Sequence, residues 1–278
     1  EILRIDNLFR EKLGYPKRME ALAQPWTQAE EGKPVHVLRL RFRIRALTDV
    51  DHVELAMERP EDAGIIWNGR EIDREIRGWY VDRGIKKLSL GQLCTGENLL
   101  EISIPFGRKT NVEWCYLLGD FGARVCGSHV EVTERPGQLY YGDYVNQGFP
   151  FYAGNMEYKI KEELAEGSLY LEVPQYRGAL VQVFLDGRKI GNVFMAPYRI
   201  CCGNVAAGEH EIALKVFGNR ANAFGAVHHA DCTEPWYGPN LWRTTGNKWA
   251  YEYQLEAMGI LTTPVYWIEE LEEKNERI

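Results

Sequence analysis

The chain has 278 residues, 45% hydrophobic and 26% charged, a balance that excludes a mainly disordered protein. Its 33 basic and 40 acidic residues leave a net charge of −7, which weighs against nucleic acid or an anionic membrane as partner. No apolar run approaches the roughly 18 residues of a membrane span. The opening EILRIDNLFREKLG lacks the basic start and apolar core of a secretion signal, so a soluble, cytoplasmic protein is expected.

In chain order, Ile2, Ile5, Leu8, Phe9 and Leu13 recur at helical spacing before Gly14 and Pro16, predicting a short amphipathic helix within an N-terminal segment 1–29. From His36 the period becomes two: Leu38, Leu40, Phe42 and Ile44 alternate with Arg39, Arg41, Arg43 and Arg45. This predicts a half-buried strand with a solvated arginine face. Short β-rich runs broken by glycine-centred turns continue to about Trp267, a pattern of sandwiches or jelly rolls. The charged tail 269–278 reads as a surface helix or a frayed end. The six cysteines, at 94, 115, 126, 201, 202 and 232, form no CxxC pair and are expected to be buried free thiols in a reducing compartment.

An internal repeat organises the middle of the chain. IIWNGREI is followed by Tyr80 and VFLDGRKI by Tyr198, each tyrosine eleven positions after its turn glycine. GENLLEISI and GEHEIALKV then lead into the turns FGRKTN and FGNRAN. Asn-Gly and Asp-Gly favour tight two-residue hairpins, so each copy is one β unit. The expected division is two tandem β-sandwiches at 30–136 and 146–268, with ERPGQLYYGDYVNQG as linker. Trp79 and Tyr80 read as core or inter-domain contacts, and Tyr198, which repeats Tyr80, is expected in a core.

WNGREI, GWYVD and TGENLLEISI, with the second copy QGFPFYAGNMEYKI, GALVQVFLDGRKIG and AGEHEIALKVFGNRANAFG, resemble the sugar-binding-domain pattern of glycoside hydrolase family two and related enzymes. Similar jelly rolls occur in β-galactosidases and α-rhamnosidase-type enzymes. The resemblance, over roughly residues 30–240, implies an all-β fold of two galactose-binding-like jelly rolls, accessory to a catalytic barrel. The chain begins at Glu1 rather than methionine, and with the leading helix this suggests a C-terminal portion of such an enzyme. No family catalytic residue then falls on it. The expected role is carbohydrate binding or scaffolding, with a glycan and the catalytic domain of the same polypeptide as partners. A purely docking module and a self-contained glycosidase are the rivals.

Residues 228–253, HHADCTEPWYGPNLWRTTGNKWAYEY, break the strand pattern. Trp236, Tyr237, Trp242 and Trp249 supply flat rings, and His228, His229, Asn240 and Arg243 supply polar anchors, the mixture that holds a pyranose. The same residues equally suit a loop that caps a sandwich or docks on a neighbour. His228, His229, Asp231 and Cys232 fit no zinc spacing, so neither metal nor cofactor is assigned. A structural calcium is chemically reasonable but has no ligand signature here. Glu113 and Glu157 are the carboxylates flanked by aromatics, and the simpler reading of each is an ion pair at a strand end. Asp120, bracketed by Gly119 and Gly122, reads as a turn residue.

Overall fold

The structure is a computed structural model that describes residues 2–17, 33–230 and 246–270. It is all-β, with a short N-terminal helix, and its contacts divide it into two units. The first comprises Glu1–Pro136 and Ala226–Gln254; the second comprises Gly137–Gly225 and Leu255–Ile278.

In the first unit, helix α1 (Ile2–Lys12) precedes β1 (His36–Ala46), β2 (Val50–Glu58), β3 (Gly64–Trp67), β4 (Arg70–Glu71) and β5 (Trp79–Tyr80). β6 (Asp82–Leu93), β7 (Gly96–Phe106), β8 (Tyr116–Leu118), β9 (Gly122–Cys126) and β10 (His129–Thr133) follow. One sheet has the order β4-β3-β7-β1-β10-β9 and the other β5-β6-β2-β8. Leu55, Leu88 and Leu90 from one sheet and Ile65, Trp67, Leu100 and Ile102 from the other form its core. The arginines of β1 stand on the exposed face, where Arg41 pairs with Glu101 at 2.7 Å and Arg45 with Glu131 at 3.2 Å.

Helix α1 lays Ile2 and Phe9, with Leu13 just beyond its end, against Leu38, Phe106 and Val112, whereas Leu8 faces solvent. Its buried stripe is partly ionic. Arg10 pairs with Asp6 at 2.9 Å, donates to the carbonyls of Arg108 and Thr110, and stacks on Phe106. The turn after β7 is thereby the anchor of the helix.

The second unit contains β11 (Met156–Leu164), β12 (Gly167–Glu172), β13 (Tyr176–Arg177), β14 (Val181–Leu185) and β15 (Arg188–Val193). β16 (Arg199–Val205), β17 (Gly208–Val216), β18 (Gly259–Ile260) and β19 (Val265–Glu269) complete it. Its sheets run β11-β17-β14-β15 and β16-β12-β19, with β13 paired to β18. The orders β1-β7-β3-β4 and β8-β2-β6 in the first unit match β11-β17-β14-β15 and β19-β12-β16 in the second, so the sequence repeat is a repeat of topology.

Both repeat hairpins form the expected tight turn, Asn68-Gly69 with φ 48° and 80° and Asp186-Gly187 with φ 50° and 74°. Each turn is locked to the strand beside it in one way. Asn68 N–H donates to the Leu99 carbonyl and Leu99 N–H to Asn68 Oδ1; Asp186 N–H donates to the Glu211 carbonyl and Glu211 N–H to Asp186 Oδ1. The second side-chain atom of each turn residue meets Asn98 or His210, and these reach back four residues to the carbonyls of Cys94 and Ala206.

Two boundaries differ from the sequence reading. The stretch read as a linker packs into the second unit: Tyr144 is 1% exposed, and Asp143 accepts from the N–H groups of Val145 and Met258. Ala226–Gln254, assigned from sequence to the second sandwich, makes its contacts within the first unit. There Tyr253 N–H donates to the Gly127 carbonyl in the β9–β10 turn. The tail 271–278 lies outside the described residues.

Candidate functional site

Of the predicted sugar-contact residues, Trp236, Tyr237, Asn240, Trp242 and Arg243 lie outside the described residues, as do Asp231 and Cys232. His228, His229 and Trp249 are described, and all three fall in the first unit. A short ladder holds them: Ala250 N–H donates to the His228 carbonyl, Ala230 N–H to that of Lys248, and His229 faces Trp249 in an antiparallel bridge.

The His228 ring is buried between Trp249, 4.9 Å away between centroids, and Tyr253, 4.7 Å away. Its Nδ1 lies 3.1 Å from the Ala250 carbonyl. Trp249 is half-buried and meets Tyr251 edge-on at 6.0 Å, while the Arg4 guanidinium covers both rings and Arg4 Nη2 donates to the Tyr251 hydroxyl. Helix α1 thus supplies a cation to an aromatic cluster in which His228 is buried, Trp249 half-buried and Tyr251 exposed.

A second arrangement was not legible in the sequence. In the second unit a cleft of about 400 Å³ opens between the segment around β13 and the connection from β15 to β16. Tyr176, Phe194 and Tyr198 are among the residues that border it, with Gln175 and Arg177, and its lining is mainly polar. Tyr198, expected in the core, is instead 36% exposed, and Phe194 is 57% exposed. The physical reason is the backbone: Tyr198 adopts φ 60°, which turns its side chain out of the strand that follows. Trp79, beside the repeat partner Tyr80, is likewise exposed.

The carboxylates singled out by sequence stand at the surface in pairs. Glu113 accepts from Asn111, Glu157 meets Lys159 at 3.3 Å, and Asp120 meets Arg135 at 2.8 Å. Among the described residues, the carboxyl groups whose pKa is displaced, Asp49, Glu61, Glu131 and Asp186, are all lowered by hydrogen bonds to the charged form. No three metal-ligating side chains converge among the described residues. No described helix is long and apolar enough to cross a membrane. Of the five described cysteines, all free, only Cys202 is fully buried; Cys94, Cys126 and Cys201 are exposed, contrary to the expectation of buried thiols.

No family model and no curated protein sequence matches the chain. Among solved structures it is similar to a rhamnosidase from Novosphingobium sp. PP1Y, at 15% identity and a TM-score of 0.33 over 82% of this chain and 22% of that one. It is also similar to the alpha-L-rhamnosidase of Streptomyces avermitilis, complexed with L-rhamnose, at 16% identity and a TM-score of 0.30 over 70% of this chain and 24% of that one. A glycosyl hydrolase family 2 member from Bacteroides cellulosilyticus matches at 14% identity and a TM-score of 0.20, over 66% of this chain and 22% of that one. The chain therefore spans about a quarter or less of the length of each.

Proposed function

We propose that this chain is a non-catalytic pair of β-sandwiches serving a glycoside hydrolase whose catalytic barrel lies elsewhere in the same polypeptide, and that its work is to hold carbohydrate. The observation that carries this reading is the duplicated sandwich. Both copies of the sugar-binding-domain pattern keep the same strand order and the same hairpin lock, Asn68 on Leu99 and Asp186 on Glu211.

The test is a glycan-array screen of the whole chain, followed by thermal unfolding with each hit at high concentration, since a ligand of the native state raises the midpoint. Saturable binding without hydrolysis of aryl glycosides is the expected result. Hydrolysis by the isolated chain would overturn the non-catalytic assignment. Silence on every glycan would leave bracing of the catalytic domain as the function.

A further inference from the structure

Resting on that carbohydrate reading, we infer that the ring-lined cleft of the second sandwich is a saccharide subsite, in which Tyr198 and Phe194 offer faces to a pyranose and Arg177 and Gln175 bond its hydroxyl groups. The cleft is a product of the fold. β13 pairs only with β18, so its segment leaves the main sheets and stands as one wall, while the β15–β16 connection forms the other.

The two walls are fixed to each other. The Tyr176 hydroxyl donates to the Val193 carbonyl at 3.2 Å, and the Tyr176 and Tyr198 rings meet edge-to-face at 5.9 Å and 89°. Gly178 turns the first wall where a Cβ would stand 2.6 Å from the Phe217 carbonyl oxygen, so only glycine permits this close approach. Tyr198 holds its left-handed conformation through two hydrogen bonds, from its N–H to the Met195 carbonyl and from Val173 N–H to its own carbonyl. A bulky residue in that region is strained, and such strain gathers where a side chain is being aimed.

The repeat provides an internal comparison. Tyr80, the same position in the first copy, is half-buried and packs on Tyr116 at 5.4 Å. In the second copy the ring meets the edge of Tyr176 yet stays 36% exposed, and Phe194 and Met195 beside it are also exposed. Exposed apolar side chains at the rim of a cleft are unfavourable for a free surface and suit an apolar ligand face.

The polar groups narrow the ligand class. Among the described residues nothing pairs with the Arg177 guanidinium, which leaves its five N–H donors for vicinal hydroxyls or a sugar carboxylate. A single arginine on a chain of net charge −7 is a poor receptor for a polyphosphate. The volume is at the lower end of the range for small-ligand sites, about 300 to 1,000 Å³, and fits a ligand of one or two sugar rings.

The experiment is saturation-transfer NMR on the whole chain with methyl β-D-galactopyranoside, methyl α-L-rhamnopyranoside and galacturonic acid as probes, in wild type and in Tyr198→Asn, Phe194→Ala and Arg177→Gln. Asparagine tolerates the left-handed backbone, so Tyr198→Asn removes the ring and keeps the turn. Phe194 is exposed, so its truncation is expected to leave the fold intact, which circular dichroism checks. Trp79→Ala, an exposed ring of the first unit, is the control. The expected result is transfer to at least one probe in wild type and in Trp79→Ala, with affinity weakened roughly tenfold or more in each ring variant. Binding that persists unchanged in Tyr198→Asn and Phe194→Ala overturns this subsite while leaving the carbohydrate reading in place. Absence of transfer in wild type, together with silence on the glycan array, overturns both.

Discussion

Asp186 Oδ2 and His210 Nδ1 lie 2.7 Å apart, at the place where the first sandwich sets Asn68 against Asn98. One copy of the repeat locks its hairpin with two amides and the other with a titratable pair. His210 faces acceptors at both ring nitrogens, Asp186 at one and the Ala206 carbonyl at the other, so the doubly protonated ring is the form that satisfies both.

The hairpin of the second unit should therefore respond to pH. The hydrogen bond to Asp186 raises the His210 pKa, and the same bond lowers that of Asp186. The raised histidine contributes stability that is complete below its unfolded pKa of about 6.5 and is lost as pH rises through the folded value. The lowered carboxyl contributes stability present above its unfolded pKa of about 3.9 and lost as pH falls through the folded value. The pair is strongest between these limits. A histidine titration followed by NMR should place His210 above the ordinary range, and Asp186→Asn should reduce the displacement, leaving the share due to the Ala206 carbonyl. The effect on unfolding will be small, because the pair is close to solvent.

Arg10→Ala should loosen helix α1. It leaves the Asp6 carboxylate without its guanidinium and the Arg108 and Thr110 carbonyls without theirs, a loss of about 3 kcal/mol for a buried pair. Detachment of the helix caps the loss at its own docking free energy. The double variant Asp6→Leu/Arg10→Met should recover most of it, since apolar replacement of both partners of a buried pair is often neutral. Urea unfolding of the three proteins checks the ordering.

Gly259→Ala should be among the costlier glycine substitutions. A Cβ there would meet the Tyr158 hydroxyl at 2.7 Å and Tyr144 Cδ1 at 2.8 Å, in a backbone with φ 105°. Overpacking and backbone strain together predict a loss of about 2 to 4 kcal/mol. Gly203→Ala, with φ 89° but open space around it, should lose only the backbone share, about 1 to 2 kcal/mol. The difference between their denaturation midpoints separates clash from strain.

Trp249→Ala should destabilise the first unit by roughly 2 kcal/mol, less than a fully buried tryptophan, because its half-buried ring supports His228 and carries Arg4. Chemical denaturation followed by tryptophan fluorescence measures this. An unaltered midpoint would show that the ring contributes little to packing and would return it to the surface as a candidate for ligand contact.

Thiol labelling should divide the described cysteines. Cys94, Cys126 and Cys201 are exposed and should react readily in the native protein. Burial pushes both Cys115 and Cys202 up to about 11, so at neutral pH their thiolates are scarce and reaction should await unfolding. Mass spectrometry after brief alkylation distinguishes the two groups.

The parts of the fold legible in the sequence were those written in local chemistry. Asn68-Gly69 and Asp186-Gly187 demand positive φ, and the β1 arginines alternate with apolar residues, so hairpins and strand faces follow from neighbours alone. What escaped depended on distant partners. Asp6 and Arg10 gave no apolar signal, yet they sit on the buried stripe of α1, while Leu8 on the apolar pattern faces water. Tyr144 lies in a glycine-rich stretch that reads as a linker, and only its contacts in the second unit reveal it as core. Tyr198 reads as core because its position repeats, but repetition preserves the backbone path better than the burial of the side chain.

The division of units carries a practical consequence for dissecting the molecule. Because Ala226–Gln254 belongs with the first unit and Leu255 onward with the second, the polypeptide passes between them three times. A single cleavage near residue 137 would strip the first half of the ladder around His228. Stopping a gene fragment at residue 225 would cost the second half β18 and β19 as well. Separate expression of either unit would require a permuted gene or a non-covalent pairing of fragments, and measurements on ligand binding are better made on point variants of the intact chain than on its excised halves.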